Sequence, residues 1–236
     1  MMSTAMAIVI GRRHPGTQCP GVVEGYAHTA QRWPERLQRR PLTAAELSGP
    51  QAVLRRLPPV RGDLAGYGAK RALGQLMHLK VRIVDEDGAP VPVAVVEIWH
   101  CNAAGKYIHV NDTHDAPADP NFYGAARVVT DADGTIVLRS IKPAAYPVPD
   151  SGRWWRPPHV HLSLWGRVWL SRLVTQMFFP GEPLNESDRI LNGIPQAAAR
   201  ERCIARLLPP EQGPDNALVF EHEIVVRGRA ASPQLP

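Results

Sequence analysis

Cysteine is scarce in this 236-residue chain: Cys19, Cys101 and Cys203 are widely spaced, odd in number and without a C-x-x-C pair. That excludes a disulfide framework and a cysteine-rich zinc module, and lone thiols suit a reducing compartment. Long apolar runs are also missing. Met1–Ile10 is mildly apolar, but Arg12 and Arg13 follow it rather than precede it. It is too short to span a bilayer and lacks the charged start of a signal peptide. There is no Lys/Arg block with interleaved aromatics, although the net charge is +5 and many arginines fall within the first 82 residues. The expectation is a soluble, cytoplasmic protein with no nucleic-acid and no membrane partner. Its basic balance fits an anionic substrate, or simply a basic organism.

Proline is plentiful, with 24 residues. Pro15, Pro20, Pro34, Pro41, Pro50, Pro58 and Pro59 break any long element in residues 1–75. This stretch reads as an irregular N-terminal arm, an interface or pocket edge, with a short helix starting at the capping-box pattern Thr43-Ala44-Ala45-Glu46. From Leu76 the pattern becomes short apolar, β-branched runs. Leu76 to Val84 and Val93 to Trp99 flank the turn Asp85-Glu86-Asp87-Gly88 and read as a hairpin-like pair. Ala126 to Thr130 and Thr135 to Ser140 repeat the arrangement around Asp131-Ala132-Asp133-Gly134. Strands are also expected at His159 to Trp165, Arg172 to Phe179 and Ala217 to Val226, and a helix at Pro195 to Leu208. The fold class is all-β: residues 76–236 form a β-sandwich domain of short, mostly antiparallel strands, with one late helix. Two long loops, Cys101 to Ala125 and Lys142 to Pro158, are the natural site-bearing segments.

One strand carries chemistry. In Pro157-Pro158-His159-Val160-His161-Leu162-Ser163-Leu164, strand alternation puts both histidines on one face. Taken alone, His-x-His serves a metal site and a pair of hydrogen-bonded structural histidines equally well. Each long loop holds a tyrosine, Tyr107 and Tyr146. Two tyrosinates would suit a hard trivalent ion, because only a strong cation ionises phenols at neutral pH. Most loop tyrosines simply pack.

The ordered segments Val95-Val96-Glu97-Ile98-Trp99, Asn102 through Tyr107, Asp119-Pro120-Asn121-Phe122, Thr130 through Gly134, Ile141-Lys142-Pro143, Tyr146-Pro147 and Trp155 through His161 resemble the intradiol ring-cleavage dioxygenases. Within that family they are most similar to the β subunits of protocatechuate 3,4-dioxygenases. The resemblance is strong over residues 76–228 and weak in the arm. It implies a non-haem Fe(III) held by Tyr107, Tyr146, His159 and His161, with Tyr146 and His161 axial and Tyr107 and His159 equatorial. It implies intradiol cleavage of protocatechuate or a related substituted catechol by O2, giving a cis,cis-muconate-type dicarboxylate. Tyr146 would leave the metal and accept a catechol proton, and Arg156 would stabilise charge developing on the ring. Tyr26, Gln176, Trp155, Ile190 and Val148 would line the substrate pocket. His100, His109 and His114 would be structural or solvent-facing.

The chain departs from the family at Val148, where Tyr-Pro-Trp is usual, and at Phe178, where tyrosine is common. Val148 leaves the identity of the catechol open. The implied partners are a small aromatic diol, O2, and either an α-type subunit or further copies of this chain. Two alternatives stand: a catechol or hydroxyquinol 1,2-dioxygenase, which usually carries a helical N-terminal domain that this proline-rich arm does not suggest, and a non-catalytic β-sandwich binding protein.

Overall fold

Alternation of buried and exposed residues builds two facing sheets. A computed structural model of the chain describes residues 15–26, 62–67, 70–165, 172–210 and 214–235. Along β3 (Leu76–Val84), Met77, Leu79, Val81 and Ile83 are buried while Lys80 and Arg82 face outward. β6 (Thr135–Ile141) buries Ile136 and Leu138, and β12 (Leu218–Val225) buries Phe220, His222 and Ile224. These strands form one sheet in the order β11-β12-β3-β6, with β11 at Arg206–Leu207. The β12–β3 pair is parallel, in register from Leu218↔Met77 to Val225↔Val84; among the described residues every other strand pair is antiparallel. The opposing sheet has the order β10-β9-β4-β5: β4 is Val95–Trp99, β5 Ala125–Val129, β9 His159–Trp165 and β10 Leu173–Phe178. Its Val96, Ile98, Val160, Leu162, Leu164 and Met177 meet the first sheet in one core. Burying each such side chain contributes about 1.5–3 kcal/mol.

The expected hairpins resolve differently. β3 and β4 lie in opposite sheets, as do β5 and β6, so each Asp/Gly turn is a corner that carries the chain across the sandwich. Asp85 Oδ1 accepts the Asp87 and Ala89 amides, and Asp131 Oδ1 accepts those of Asp133 and Thr135. The two corners are tied together, since the Ile83 amide donates to Gly134 O and that of Val91 to Ile83 O. Local alternation is the same for a hairpin and a corner; long-range pairing decides between them.

The late helix, α1 (Ala197–Glu201), is also shorter than expected. From Cys203 the backbone joins the sheets. The Phe178 amide donates to Cys203 O, the Ala205 amide donates to Phe178 O, and Arg206–Leu207 pairs with β12. Ladder pairing outweighs the helix propensity of alanine and arginine.

Among the described residues there are also two small ribbons, β1 (Gly66–Tyr67) with β2 (Lys70–Arg71) and β7 (Tyr146–Pro147) with β8 (Trp155–Arg156). The described parts of the arm are packed. Leu64 and Ala65 belong to the main core, while Cys19, Val23 and Tyr26 join a second cluster with Val148, Trp154, Phe178 and Ile190. The capping-box helix expected at Thr43 lies outside the described residues.

Candidate metal centre

β9 is covered on both faces. Val160, Leu162 and Leu164 enter the core between the sheets, so His159 and His161 stand on the opposite face. Register then fixes their neighbours: Phe178 lies opposite His159, and Gln176 and Trp99 flank His161. Trp99 stacks on His161 with ring centroids 4.9 Å apart and planes within 3°.

The two long loops close over this face, and each is built to present a tyrosine. Asn102 Oδ1 accepts the Ala104 and Lys106 amides, Asp112 Oδ2 accepts the Tyr107 amide at 2.7 Å, and Lys106 Nζ donates to the Asp112 and His114 carbonyls. Gly105 adopts φ +84°, and a Cβ there would sit 2.6 Å from Ala145 O. Only glycine allows the first loop to approach the second this closely. In the second loop, β7 pairs Tyr146 with Arg156 of β8.

Four donor atoms therefore converge. Tyr146 Oη lies 3.3 Å from His159 Nε2, and Tyr107 Oη lies 3.2 Å from His161 Nε2. The two histidine rings are 4.9 Å apart and the two tyrosine rings 5.3 Å, edge-on. His159 Nδ1–H donates to Pro157 O at 2.7 Å, which leaves the Nε2 lone pair facing the tyrosines. Burial, reinforced by the charge of Arg156, pushes His161 down to about 3 and His159 well below its ordinary value. Both imidazoles are thus neutral and free to ligate. Burial pushes Tyr107 and Tyr146 up, so the protein alone keeps both phenols protonated. Two neutral imidazoles and two phenols, with no carboxylate, fit a hard, highly charged cation whose field overcomes that burial.

Arg156 is wholly buried beside this centre. Its Nε donates to Asp188 Oδ2 at 2.6 Å, Nη2 to Gln176 Oε1 at 2.6 Å and Nη1 to Tyr26 Oη at 3.4 Å. Burial alone would lower its pKa, but Asp188 and the two tyrosines outweigh that and raise it. Asp188, also wholly buried, accepts the Ile190 and Leu191 amides through Oδ1. Sequence reasoning missed it. The Asp-x-Ile-Leu turn signal was visible in the sequence; the pairing with Arg156, thirty-two residues earlier, was not.

Tyr26 and Gln176 touch Arg156 directly, and Val148 and Ile190 are buried in the cluster around it. Trp155 is placed otherwise than expected: it is 45% exposed and edge-on to His114. Strand alternation explains the swap, since Arg156 points inward and its neighbour must point out. Trp154 is the buried indole, 5.8 Å from the Tyr26 ring and 6.0 Å from the Arg156 guanidinium. Of the remaining histidines, His100 is buried between Cys101 O and Ser140 Oγ, and His109 accepts the Asn111 amide. Neither joins the cluster.

A dioxygenase family model matches residues 48–228. The chain is 47% identical over 179 residues to the protocatechuate 3,4-dioxygenase beta chain of Burkholderia cepacia, covering 75% of this chain and 76% of that one. The chain belongs to the intradiol ring-cleavage dioxygenases. It is also 31% identical over 128 residues to the chlorocatechol 1,2-dioxygenase of Rhodococcus opacus, covering 49% of this chain and 48% of that protein. The solved catechol 1,2-dioxygenase from Acinetobacter sp. ADP1 matches with TM-score 0.51 and 26% identity, over 72% of this chain and 58% of that one. The chain thus spans about half the length of these 1,2-dioxygenases. Its intradiol family membership makes it an enzyme, and the four-donor cluster lies within the matched residues. Among the described residues, no helix is long and apolar enough to cross a membrane.

Proposed function

We propose that this chain is the iron-bearing, β-type chain of a protocatechuate 3,4-dioxygenase-like enzyme. It cleaves protocatechuate or a related substituted catechol between its two hydroxylated carbons with O2, yielding a cis,cis-muconate-type dicarboxylate. The observation that carries this is the convergence of Tyr107 Oη, Tyr146 Oη, His159 Nε2 and His161 Nε2 on one buried face. These four side chains would hold non-haem Fe(III), which when bound supplies the charge that chelates the diol and makes its ring reactive toward O2.

The chain's own groups do the rest. Ionised by the bound cation, Tyr146 would be a phenolate whose Oη can accept a catechol proton and become a neutral phenol; the neighbouring Arg156 charge favours that phenolate, opposing the effect of burial. Asp188 and Gln176 fix the Arg156 guanidinium, so its positive charge stands ready to stabilise negative charge developing on the ring. Trp99, Phe178 and Trp154 make the surroundings apolar, which strengthens that interaction. Ile108 and Val110, 63% and 91% exposed beside the Tyr107 loop, support coverage of the rim by an α-type partner chain. The arm, with Tyr26 against Arg156, would complete the pocket edge. Three free, buried thiols, each pushed up to about 12 by burial, support a reducing cytoplasmic setting.

Oxygen uptake with protocatechuate, catechol and hydroxyquinol, measured on iron-loaded protein alongside product identification, tests the proposal. Uptake fastest with protocatechuate, with a ring-opened dicarboxylate, is expected. Preference for catechol or hydroxyquinol would assign a 1,2-dioxygenase specificity, and iron-loaded protein inert toward all three would overturn the reading.

A further inference from the structure

One edge of β12 is left partly open. Among the described residues β11 pairs with it only at Phe220 and Glu221, and between Cys203 and Ala205 the chain turns aside to pair with Phe178 of the opposing sheet. The edge is met again at Val225, whose amide donates to Ser232 Oγ. Around this gap lies a cavity of about 450 Å³, distinct from the metal centre. Lys80, Arg82, Arg202 and Arg206 bring four cations to its walls, against the two carboxylates of Glu221 and Glu223. Both carboxylates are engaged. Glu221 accepts from Lys80 at 2.9 Å and from Arg206, and Glu223 from Arg82 at 3.3 Å. Among the described residues Arg202 has no acidic partner; its Nη1 donates to Ala198 O. Four cations against two carboxylates leave a surplus of two positive charges.

Two donors of fixed direction belong to this gap. His222 lines the cavity, is only 5% exposed and has no hydrogen-bond partner among the described residues. Neither of its ring nitrogens is among the polar atoms sealed from solvent, so the ring opens on the cavity. Burial pushes it down to about 4, so at neutral pH the ring is uncharged and one nitrogen donates. The second donor is a backbone amide. The Val226 amide donates to Val84 O of β3, whereas that of Val225 turns to Ser232 on the other side. Alternation then aims the Glu223 amide at the open edge, where among the described residues no strand pairs with it. Ile204 and Val225 add apolar surface.

We propose that this gap is a binding site for a small organic dicarboxylate, one carboxylate accepting from the His222 ring and the Glu223 amide and the other held by Lys80 and Arg206. Two negative charges match the surplus, and a carbon chain between them suits Ile204 and Val225. Inorganic phosphate would use the charges but not the apolar wall. The ring-opened product of the proposed cleavage belongs to this ligand class, a link that alone rests on the catechol reading. Binding itself is read without turnover and stands apart from that reading.

The test is isothermal titration of the full-length iron-loaded protein with cis,cis-muconate, adipate and inorganic phosphate. Both dicarboxylates should bind more tightly than phosphate. Lys80→Gln/Arg206→Gln removes two charged partners and should weaken dicarboxylate binding at least about 10-fold. The same loss of charge at Lys70→Gln/Arg71→Gln, on the exposed β2 strand, should change it less than about twofold. His222→Leu should weaken it about 3- to 10-fold, the effect of one hydrogen bond, and His222→Gln, which keeps a donor, should recover part of that. Lys80 and Arg206 are exposed, so their variant reads the site even if His222→Leu folds poorly. Wild-type protein that binds neither dicarboxylate, phosphate bound more tightly than both, or equal dicarboxylate affinity in wild type and Lys80→Gln/Arg206→Gln would overturn the site. The last result would place the ligand elsewhere, including at the metal centre.

Discussion

Neutralising Asp188 should reveal how Arg156 is kept in place. Both side chains are wholly buried and meet at 2.6 Å. In Asp188→Asn, Oδ1 still accepts the Ile190 and Leu191 amides, so the turn survives and only the charge is lost. The new amide presents N–H groups to the Arg156 Nε–H. A buried cation stripped of its counter-ion costs about 3–5 kcal/mol. For a chain of this size that lowers Tm by roughly 6–20 °C, at about 2–4 °C per kcal/mol. Arg156 would also be held only by Gln176 and Tyr26, so kcat should fall, by about 10- to 100-fold if the fixed charge acts as an electrostatic stabiliser. Calorimetric melting and oxygen-electrode turnover read the two effects separately. The double variant Arg156→Gln/Asp188→Asn should melt above Asp188→Asn, because the unpaired charge is gone. A Tm within about 2 °C of wild type, less than 1 kcal/mol would produce, with turnover unchanged, would refute the claim that this pair positions the arginine.

Other consequences follow from burial and backbone geometry. His100 and His222 are buried, and burial pushes both down to about 4. The unfolded chain binds those protons near pH 6.5 and the folded protein near 4, so stability is full above about 6.5 and is lost on acidification at up to about 1.4 kcal/mol per pH unit per histidine. Urea midpoints measured from pH 7 to 5 should fall steeply, and His222→Asn should flatten the slope. Gly105→Ala should destabilise by at least about 1–3 kcal/mol, since the residue sits at φ +84° with its Cβ against Ala145 O. Its iron content after reconstitution should drop as Tyr107 is displaced from Tyr146. Leu162→Ala removes a core residue from the β9 face opposite His159 and His161 and should cost about 2–5 kcal/mol by thermal melting.

Much of the site was legible because its parts are local. Strand alternation alone puts His159 and His161 on one face, whereas Tyr107 and Tyr146 were singled out as ligands by the family resemblance. Partners brought in from distant segments were not legible. Asp188 reaches Arg156, and Trp154 rather than Trp155 turns inward, only once β8 is paired with β7. The fold shows the same limit. The strand at Leu76–Val84 is written in its own alternation, but whether an Asp/Gly turn closes a hairpin or crosses to another sheet depends on β12, more than a hundred residues away. The expected helix after Pro195 stopped early for the same reason, because Phe178 claims the backbone from Cys203 onward.

The most direct test of the account is the visible absorption spectrum of the ferric-reconstituted protein, with and without protocatechuate, beside Tyr107→Phe. The account predicts a broad tyrosinate-to-Fe(III) band that shifts when the catechol is added and that weakens or moves when Tyr107 is replaced. A colourless ferric protein, or a band unchanged by both protocatechuate and Tyr107→Phe, would contradict it.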